Sequence, residues 1–139
     1  MTYDLGETIY QKLIAIDDVN YVAMVYNAIG WRVYPIKMKD NVEYPAISFQ
    51  FVGGAPREHT MSSDTGNPYG VRLQVSAWAE TITEARDLQE YIRIGLQDFA
   101  GTVTGGLAIQ RIFTESEAVE LYSESAEVYQ VIRDYMVWV

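Results

Sequence analysis

A strand pattern that runs directly into a helix pattern is the clearest feature of the chain. Apolar and polar residues alternate over 71–78, which predicts a half-buried strand with one face toward a core. Thr81 and Glu84 then have the spacing of a capping box, in which each side chain satisfies a free N–H of the first turn. The apolar residues that follow recur at intervals of three and four, as on one face of a helix: Ile82, Ala85, Leu88, Ile92, Leu96 and Phe99. We expect a long helix that stops near Gly101.

Before this unit, the pattern predicts two N-terminal helices and two strands. A capping pair at Asp4 and Glu7 opens the first helix, and the second ends near Gly30. Residues 31–34 alternate toward Pro35 and indicate a short edge strand. The next strand follows Tyr44-Pro45 and places three apolar residues on one face: Ile47, Phe49 and Phe51.

After the long helix, the pattern predicts two more strands. The first spans about 107–114, and an acidic connection around 123–125 leads into the last strand, Val128 to Trp138. Because this last strand is apolar on both faces, we expect it to be central. The element order predicts one α+β domain over residues 1–139, with a mostly antiparallel sheet of about four or five strands packed against the long helix and an N-terminal helical pair.

Residues 53–68 interrupt the pattern. Glycine, proline, serine, asparagine and aspartate dominate the segment, which is turn and loop chemistry. Such a stretch between two strands is too long for a routine hairpin, and loops of this kind are usually functional or disordered. We therefore expect a flexible loop at about 53–68.

Composition and charge exclude several classes of protein. The formal net charge is -9, from 19 acidic and 10 basic residues, which argues against binding nucleic acid in a sequence-specific or phosphate-dependent way. No cysteine is present, which fits folding in a reducing cytoplasm. The first residues lack the pattern of a signal peptide, and no apolar run approaches the ~20 residues of a membrane helix. We expect no membrane association.

Candidate catalytic and metal-binding residues are few. His59, the single histidine, has no cysteine or second histidine at ligand spacing, so we expect an exposed loop residue. Ser62 lies near it, but the motif of a nucleophilic serine, G-x-S-x-G, is absent. Gly53-Gly54 and Gly105-Gly106 do not match phosphate-binding loops. The acidic residues near the C-terminus lack the spacing of a calcium loop and indicate a solvated strand edge and turn: Glu115, Glu117, Glu120, Glu124 and Glu127. The sequence predicts neither an enzyme nor a cofactor or metal site.

Trp78 is the aromatic residue whose position suggests a contact. It shares a strand face with Arg72, Gln74 and Ser76, opposite the expected core. Trp78 therefore either lies under a second layer or contacts a partner, because tryptophan is enriched in interfaces.

The order of these motifs resembles a known family. The helix pair is followed by Gly30-Trp31-Arg32-Val33-Tyr34-Pro35 and Tyr44-Pro45-Ala46-Ile47-Ser48-Phe49. After the loop come Val71 to Ala79, the helix with Ala85 and Leu88, and Arg133-Asp134-Tyr135-Met136-Val137-Trp138. Over nearly its whole length the chain resembles the tail completion family of long-tailed bacteriophages, which includes tail terminator and tail-to-head joining proteins.

The resemblance implies a structural virion protein of the tail, or neck, that forms in the host cytoplasm. It implies a subunit that assembles as a ring, typically a hexamer, at the head-proximal end of the tail. Its partners would be copies of itself, the tail tube protein and the head–tail connector proteins. It implies no enzyme activity and no cofactor. It also implies that the middle loop becomes ordered on assembly.

The interface positions are expected from their chemistry: Gly53, Gly54, Arg57, Glu58, His59, Met61, Tyr69, Arg72 and Trp78. Arg57 and Glu58 would form pairs between subunits, and Met61 a deformable apolar contact. Ordering the loop costs about 1–2 kcal/mol per residue, so the loop cannot drive association alone.

Two alternatives remain open at this point. The first alternative to a tail completion subunit is another neck or head-completion protein of similar size and acidity. The second alternative is a small-molecule-binding α+β domain, which requires a pocket with convergent polar groups.

Overall fold

Strands make up most of the part of the chain that the structure describes. The computed structural model describes residues 9–10, 13, 33–36, 44–54, 70–102 and 108–138. Within these ranges one helix and eight strands have defined bounds: β1 (Val33–Pro35), β2 (Ala46–Gly54), β3 (Gly70–Ala79), α1 (Ile82–Leu96), β4 (Gly101–Thr102), β5 (Ala108–Ile109), β6 (Arg111–Thr114), β7 (Val119–Ser123) and β8 (Val128–Trp138).

The main sheet has six strands and is mixed. Its order is β1-β2-β3-β8-β6, with β7 also paired to β8, while β4 and β5 form a separate two-stranded sheet. β1 runs parallel to β2, and the other pairs are antiparallel. β8 pairs with β3 on one side and with both β7 and β6 on the other. The central position predicted for the last strand is confirmed.

The helix begins where its capping residues predict. The N–H of Glu84 donates to Oγ1 of Thr81 at 3.2 Å, so the predicted N-cap is confirmed. The helix ends at Leu96, earlier than the predicted stop at Gly101. Asp98 takes the left-handed conformation after the last turn, with φ 62, which a short polar side chain tolerates. The stop predicted at Gly101 is therefore wrong.

The hydrophobic core lies between α1 and the inner face of the sheet. The alternating apolar residues of β2 and β3 meet the apolar stripe of the helix there, and helical residues Ile9 and Leu13 join them. Burial of each large side chain contributes about 1.5–3 kcal/mol. The fully buried members include Ile9, Leu13, Ile47, Leu73, Val75, Ile92, Leu96, Ile112 and Tyr135.

One polar side chain joins the helix to the two central strands. Gln89 is 1% exposed, and its Nε2 donates to the carbonyl oxygens of Val75 at 3.0 Å and Val131 at 2.7 Å. The hydroxyl of Tyr135 donates to Oε1 of the same glutamine at 3.1 Å. Each polar atom of Gln89 therefore has a partner, as burial of an amide requires.

The predicted fold class is wrong. We expected an α+β domain with a mostly antiparallel sheet of about four or five strands packed against a long helix, and an N-terminal helical pair, but the described chain is mostly β with a six-stranded mixed sheet. The predicted strand over 107–114 is two strands, β5 and β6, which belong to different sheets. Alternation of residues identifies a strand but not its partner. The sequence therefore could not predict that β1 is parallel to β2, or that β5 and β6 pair in different sheets. The helical pair falls largely outside the described residues, which include Ile9, Tyr10 and Leu13 of it.

Candidate functional site

The face of the main sheet turned away from α1 is the candidate site, and we call it the outer face. Residues directly opposite each other on paired strands share a face. The register therefore places polar side chains of β2, β3 and β8 side by side on the outer face: Ser48 with Ser76, Gln50 with Gln74, Gln74 with Asp134, and Trp78 with Gln130.

Two cross-strand hydrogen bonds hold the end of the outer face near Trp78. The indole Nε1–H of Trp78 donates to Oγ of Ser48 at 2.8 Å, across from β3 to β2. Nε2 of Gln130 donates to Oγ of Ser76 at 3.0 Å, across from β8 to β3. Trp78 is half-buried, so part of its surface remains accessible.

Two further pairs continue this pattern along the sheet. Nε2 of Gln50 donates to Oε1 of Gln74 at 3.0 Å, and Nε of Arg72 donates to Oδ2 of Asp134 at 3.1 Å. The Arg72–Asp134 ion pair is half-exposed and contributes little to stability by itself. Because these groups already have partners, a surface that docks here need not satisfy them, which lowers the cost of removing water.

An open depression of about 110 Å³ lies on the outer face. Its lining offers amides, hydroxyls and an indole, including Ser48, Gln74, Ser76, Trp78 and Gln130, together with the apolar Ile36. These groups form no pair of nucleophile and general base of the kind that hydrolytic catalysis uses. In the part of the chain that the structure describes, no three His, Cys, Asp or Glu residues come together to hold a metal ion.

Apolar side chains occupy the other half of the outer face, along β6, β8 and β7. The register places them together because they are opposite or adjacent on paired strands: Phe113 with Met136, Val119 with Ile132, and Leu121 next to Gln130. Val119 and Leu121 are 53% and 49% exposed. Exposed apolar side chains that cluster in this way are typical of interaction surfaces.

One ion pair attaches β7 to the helix on the inner side of the sheet. The guanidinium of Arg86 donates two hydrogen bonds to the carboxylate of Glu120, each at 2.8 Å. This hydrogen bonding lowers the pKa of Glu120. On the same helix, Arg93 donates to Glu90 and lowers the pKa of that carboxyl. These charges are paired within the chain.

Comparison with protein families decides the class of this chain. The family described as tail completion protein gp17 matches residues 7–139. The chain belongs to this family. It is a structural protein of the phage tail, associated with the virion.

A solved structure supports the fold. The chain is similar to one in a structure described as "Virion of native gene transfer agent (GTA) particle", with a TM-score of 0.65 and 17% sequence identity. The similarity covers 97% of this chain and 93% of the other. At this identity it establishes the fold alone. Curated proteins show no significant sequence match to the chain. Across the described ranges, no helix has both the length and the apolar character needed to span a bilayer.

The predicted interface residues of this tail completion family member fall into two groups. Arg72 and Trp78 lie on the outer face, and Gly53 and Gly54 lie in β2, which continues into the segment predicted as loop. A register shift separates Phe51 from Gly54 on β2. The remaining five lie outside the described residues: Arg57, Glu58, His59, Met61 and Tyr69. Their role at an interface stays a prediction.

Sequence reasoning missed the apolar half of the outer face. Glutamates dominate the segment around Glu120 and predict a solvated strand edge and turn. The alternation of Val119 and Leu121 with Glu120 and Tyr122 is the signal that could have identified β7 as a strand.

Proposed function

We propose that this chain completes the tail by assembling as a ring, a hexamer, at the head-proximal end, where it contacts the tail tube protein and joins the tail to the head connector. Assembly would take place in the host cytoplasm. The observation that carries the proposal is the match of the tail completion family to residues 7–139, nearly the whole chain.

The outer face supports a role in docking. It combines a polar half, whose side chains already have hydrogen-bond partners, with an apolar half that is open to solvent. A surface of this kind can be covered without leaving buried polar atoms unsatisfied. We propose that Trp78 and Arg72 contact a neighbouring subunit or the tail tube, and that the predicted loop residues extend this contact.

The net charge of -9 bears on when the ring forms. Identical subunits of this charge repel each other, and the repulsion is strongest at low salt. We propose that the free protein is a monomer that assembles only on the tail. Light scattering at low salt should therefore give the mass of one chain, and a stable ring under that condition would contradict this step.

Electron microscopy of tails made with and without this chain tests the function. Without it, we expect tails of uncontrolled length or tails that fail to join heads. Tails of normal length that join heads would refute the proposal. Heads that lose DNA while free tails remain normal would instead indicate a head-completion protein.

Variants at Trp78 test the outer face in the same assay. Trp78→Ala removes the half-buried ring and should lower joining about tenfold, the size of a moderate interface residue. Trp78→Phe keeps most of the ring and should join tails to heads nearly as the parent does. Circular dichroism of both proteins checks that they fold. If the Trp78→Ala protein joins tails to heads normally, Trp78 is not part of the interface.

A further inference from the structure

We propose that Arg133 on β8 binds a carboxylate side chain of a neighbouring copy of this chain, at the gap in the sheet between β6 and β7. This inference rests on the proposed assembly of copies, and it identifies one polar contact that holds two of them together. The site lies on the inner side of the sheet and is separate from the outer face.

Arg133 differs from the other arginines that the structure describes. Its Nε is buried and has no hydrogen-bond partner. A buried donor without an acceptor is costly, and such groups are normally paired in native proteins. Each of the other arginines in the described ranges forms an ion pair with a carboxylate of its own chain: Arg72 with Asp134, Arg86 with Glu120, Arg93 with Glu90, and Arg111 with Asp98.

The strand register places Arg133 at a gap in the sheet. Arg133 is directly opposite Val75, which is fully buried, so its side chain points to the inner face. On the other side of β8, β7 pairs with residues up to Ile132, and β6 pairs with residues from Tyr135 onward. Arg133 lies between these two ladders. Because β3 covers one side of it and α1 lies over the inner face, the gap is its open side.

Part of the guanidinium is accessible at this gap. Arg133 is half-buried as a whole, and Nε is the one nitrogen of its side chain that is both buried and unpaired in the described structure. The terminal nitrogens therefore keep access to solvent. Since burial of Nε withdraws part of the delocalised charge from water, an ion pair formed here gains more than one on an open surface.

The carboxylates nearest in the fold do not neutralise Arg133. Hydrogen bonding from Arg93 lowers the pKa of Glu90, and the charge of Arg133 lowers it further, so the Arg133 guanidinium lies near Glu90. Both oxygens of Glu90 nevertheless accept hydrogen bonds from Nε of Arg93, each at 3.0 Å. Among the described ion pairs, none joins Arg133 to Glu115 or Glu117. The group formed by the two arginines and Glu90 therefore has a net positive charge, in a chain whose net charge is -9.

A single carboxylate is the ligand whose chemistry fits this gap. Guanidinium groups bind carboxylates and phosphates through two parallel hydrogen bonds. The backbone of a nucleic acid carries a row of negative charges, which the exposed Glu115 and Glu117 in the connection beside the gap would repel. One acidic side chain that enters the gap brings a single charge to Arg133 and avoids most of this repulsion.

A second copy of the chain is the source that the charges favour. Acidic residues outnumber basic ones by 19 to 10. In the described ranges several acidic side chains are exposed and form no ion pair: Glu80, Glu84, Asp87, Glu115, Glu117, Glu124 and Glu127. Glu124 and Glu127 lie in the turn between β7 and β8, from which a side chain can protrude into a gap of another subunit. Since donor and acceptor lie on different surfaces, the contact repeats head to tail, as a ring requires.

Carbodiimide coupling tests the contact, because this reagent joins a lysine amine to a carboxylate that it touches. Arg133→Lys keeps the charge and supplies the amine. An equal mixture of ordinary and heavy-isotope variant chains is added to an extract of phage that lack the gene, and completed tails are coupled and digested. We expect residue 133 linked to an acidic residue, with the heavy isotope on one peptide of the pair and not on the other.

Arg72→Lys is the matched control for the coupling. Arg72 lies 3.1 Å from the carboxylate of Asp134 in its own chain, so residues 72 and 134 should be linked with the same isotope on both peptides. A link from residue 133 only to its own chain, a link to a different virion protein, or no link at all would overturn the inference. In each of these cases the proposed function stands, whereas normal tails in the absence of the chain would refute that function.

Arg133→Met separates a role in docking from a role in folding. The change removes the charge but keeps an unbranched side chain, and it should lower the amount of the protein on tails about tenfold. The urea midpoint of the free protein should not fall, since no hydrogen bond within the chain is lost. Arg86→Met is the control, because it breaks an ion pair within the chain and should leave the amount on tails unchanged. A normal amount of Arg133→Met on tails, or a lowered midpoint, would contradict the proposal.

Discussion

The hydroxyl of Tyr135 donates a hydrogen bond to Oε1 of Gln89, 3.1 Å away, in the buried layer between α1 and β8. The amide of Gln89 donates in turn to carbonyl oxygens of β3 and β8. The helix is therefore positioned over the two central strands by one polar network as well as by apolar packing. Since the outer face is on the opposite side of these strands, the network also supports the candidate site.

Replacement of Tyr135 by Phe should destabilise the protein. The change leaves Oε1 of Gln89 buried without a donor, which costs about 1–3 kcal/mol. Tyr135→Phe/Gln89→Leu should cost less than the sum of the single changes, because it removes both partners. Urea denaturation measures these differences. Tyr122→Phe is the matched control, since Tyr122 is 51% exposed, and a comparable loss there would contradict the role of the network.

Stability should fall at high pH through the same tyrosine. Burial raises the pKa of Tyr135 well above its ordinary value of 10.0, although the nearby Arg133 favours the ionised form. Below pH 10 the Tyr135 hydroxyl is protonated in both the folded and the unfolded state, so its contribution to the free energy of unfolding is complete. Above that value the unfolded state loses the proton first, and the contribution falls by about 1.4 kcal/mol per pH unit.

Urea denaturation at pH 8 and pH 11 would show this effect as a difference between two proteins. The parent should lose about 1.4 kcal/mol more than Tyr135→Phe between these conditions, which corresponds to one pH unit above the ordinary pKa. An equal loss in both proteins would show that other groups cause the alkaline destabilisation.

Thr81→Ala should weaken the start of α1. The side chain of Thr81 accepts the N–H of Glu84 at 3.2 Å, and loss of such a cap costs about 0.5–2 kcal/mol. Thr83→Ala is the matched control, because Thr83 is exposed in the first turn and should change stability by less than about 0.5 kcal/mol. Thermal unfolding of both variants measures the difference. Similar values for the two would exclude a capping role.

Gly70→Ala should displace the indole of Trp138 on the outer face. A Cβ at residue 70 would lie 2.9 Å from Cη2 of that ring, closer than side chains tolerate. We expect a loss of about 1–3 kcal/mol, the usual cost of overpacking. Trp138→Phe shortens the ring and should recover part of this loss in the double variant. Chemical denaturation of the four proteins in this cycle measures the coupling, and strictly additive losses would contradict the clash.

Local patterns predicted several elements correctly. The cap at Thr81, the span of β8 and the alternation of Ile47 and Phe49 with Ser48 all depend on residues close in sequence. Each follows from hydrogen bonding within one turn or from the two-residue period of a strand. The family resemblance, which depended on the order of these elements, was confirmed by the match over residues 7–139.

Pairing over long distances was not predictable in the same way. β7 is exposed on both faces, so its alternating residues could indicate a strand but not the strand with which it pairs. Its place in the sheet comes from β8, whose length allows both β7 and β6 to pair along one side. The end of the helix at Leu96 also depends on a distant segment, because the N–H of Asp98, just beyond it, donates to the carbonyl of Ile112 on β6 at 2.7 Å.

The residues alone therefore predicted β2, β3, β8 and the start of the helix, the apolar faces of these elements, and the strong negative charge of the chain. Only the folded chain decided that the sheet is mixed, that Arg72 and Trp78 share an outer face with Met136, and that β1 and β7 occupy opposite edges. The reason is physical: side-chain periodicity is set within a few residues, whereas the choice of strand partner depends on packing between segments that are far apart in the chain.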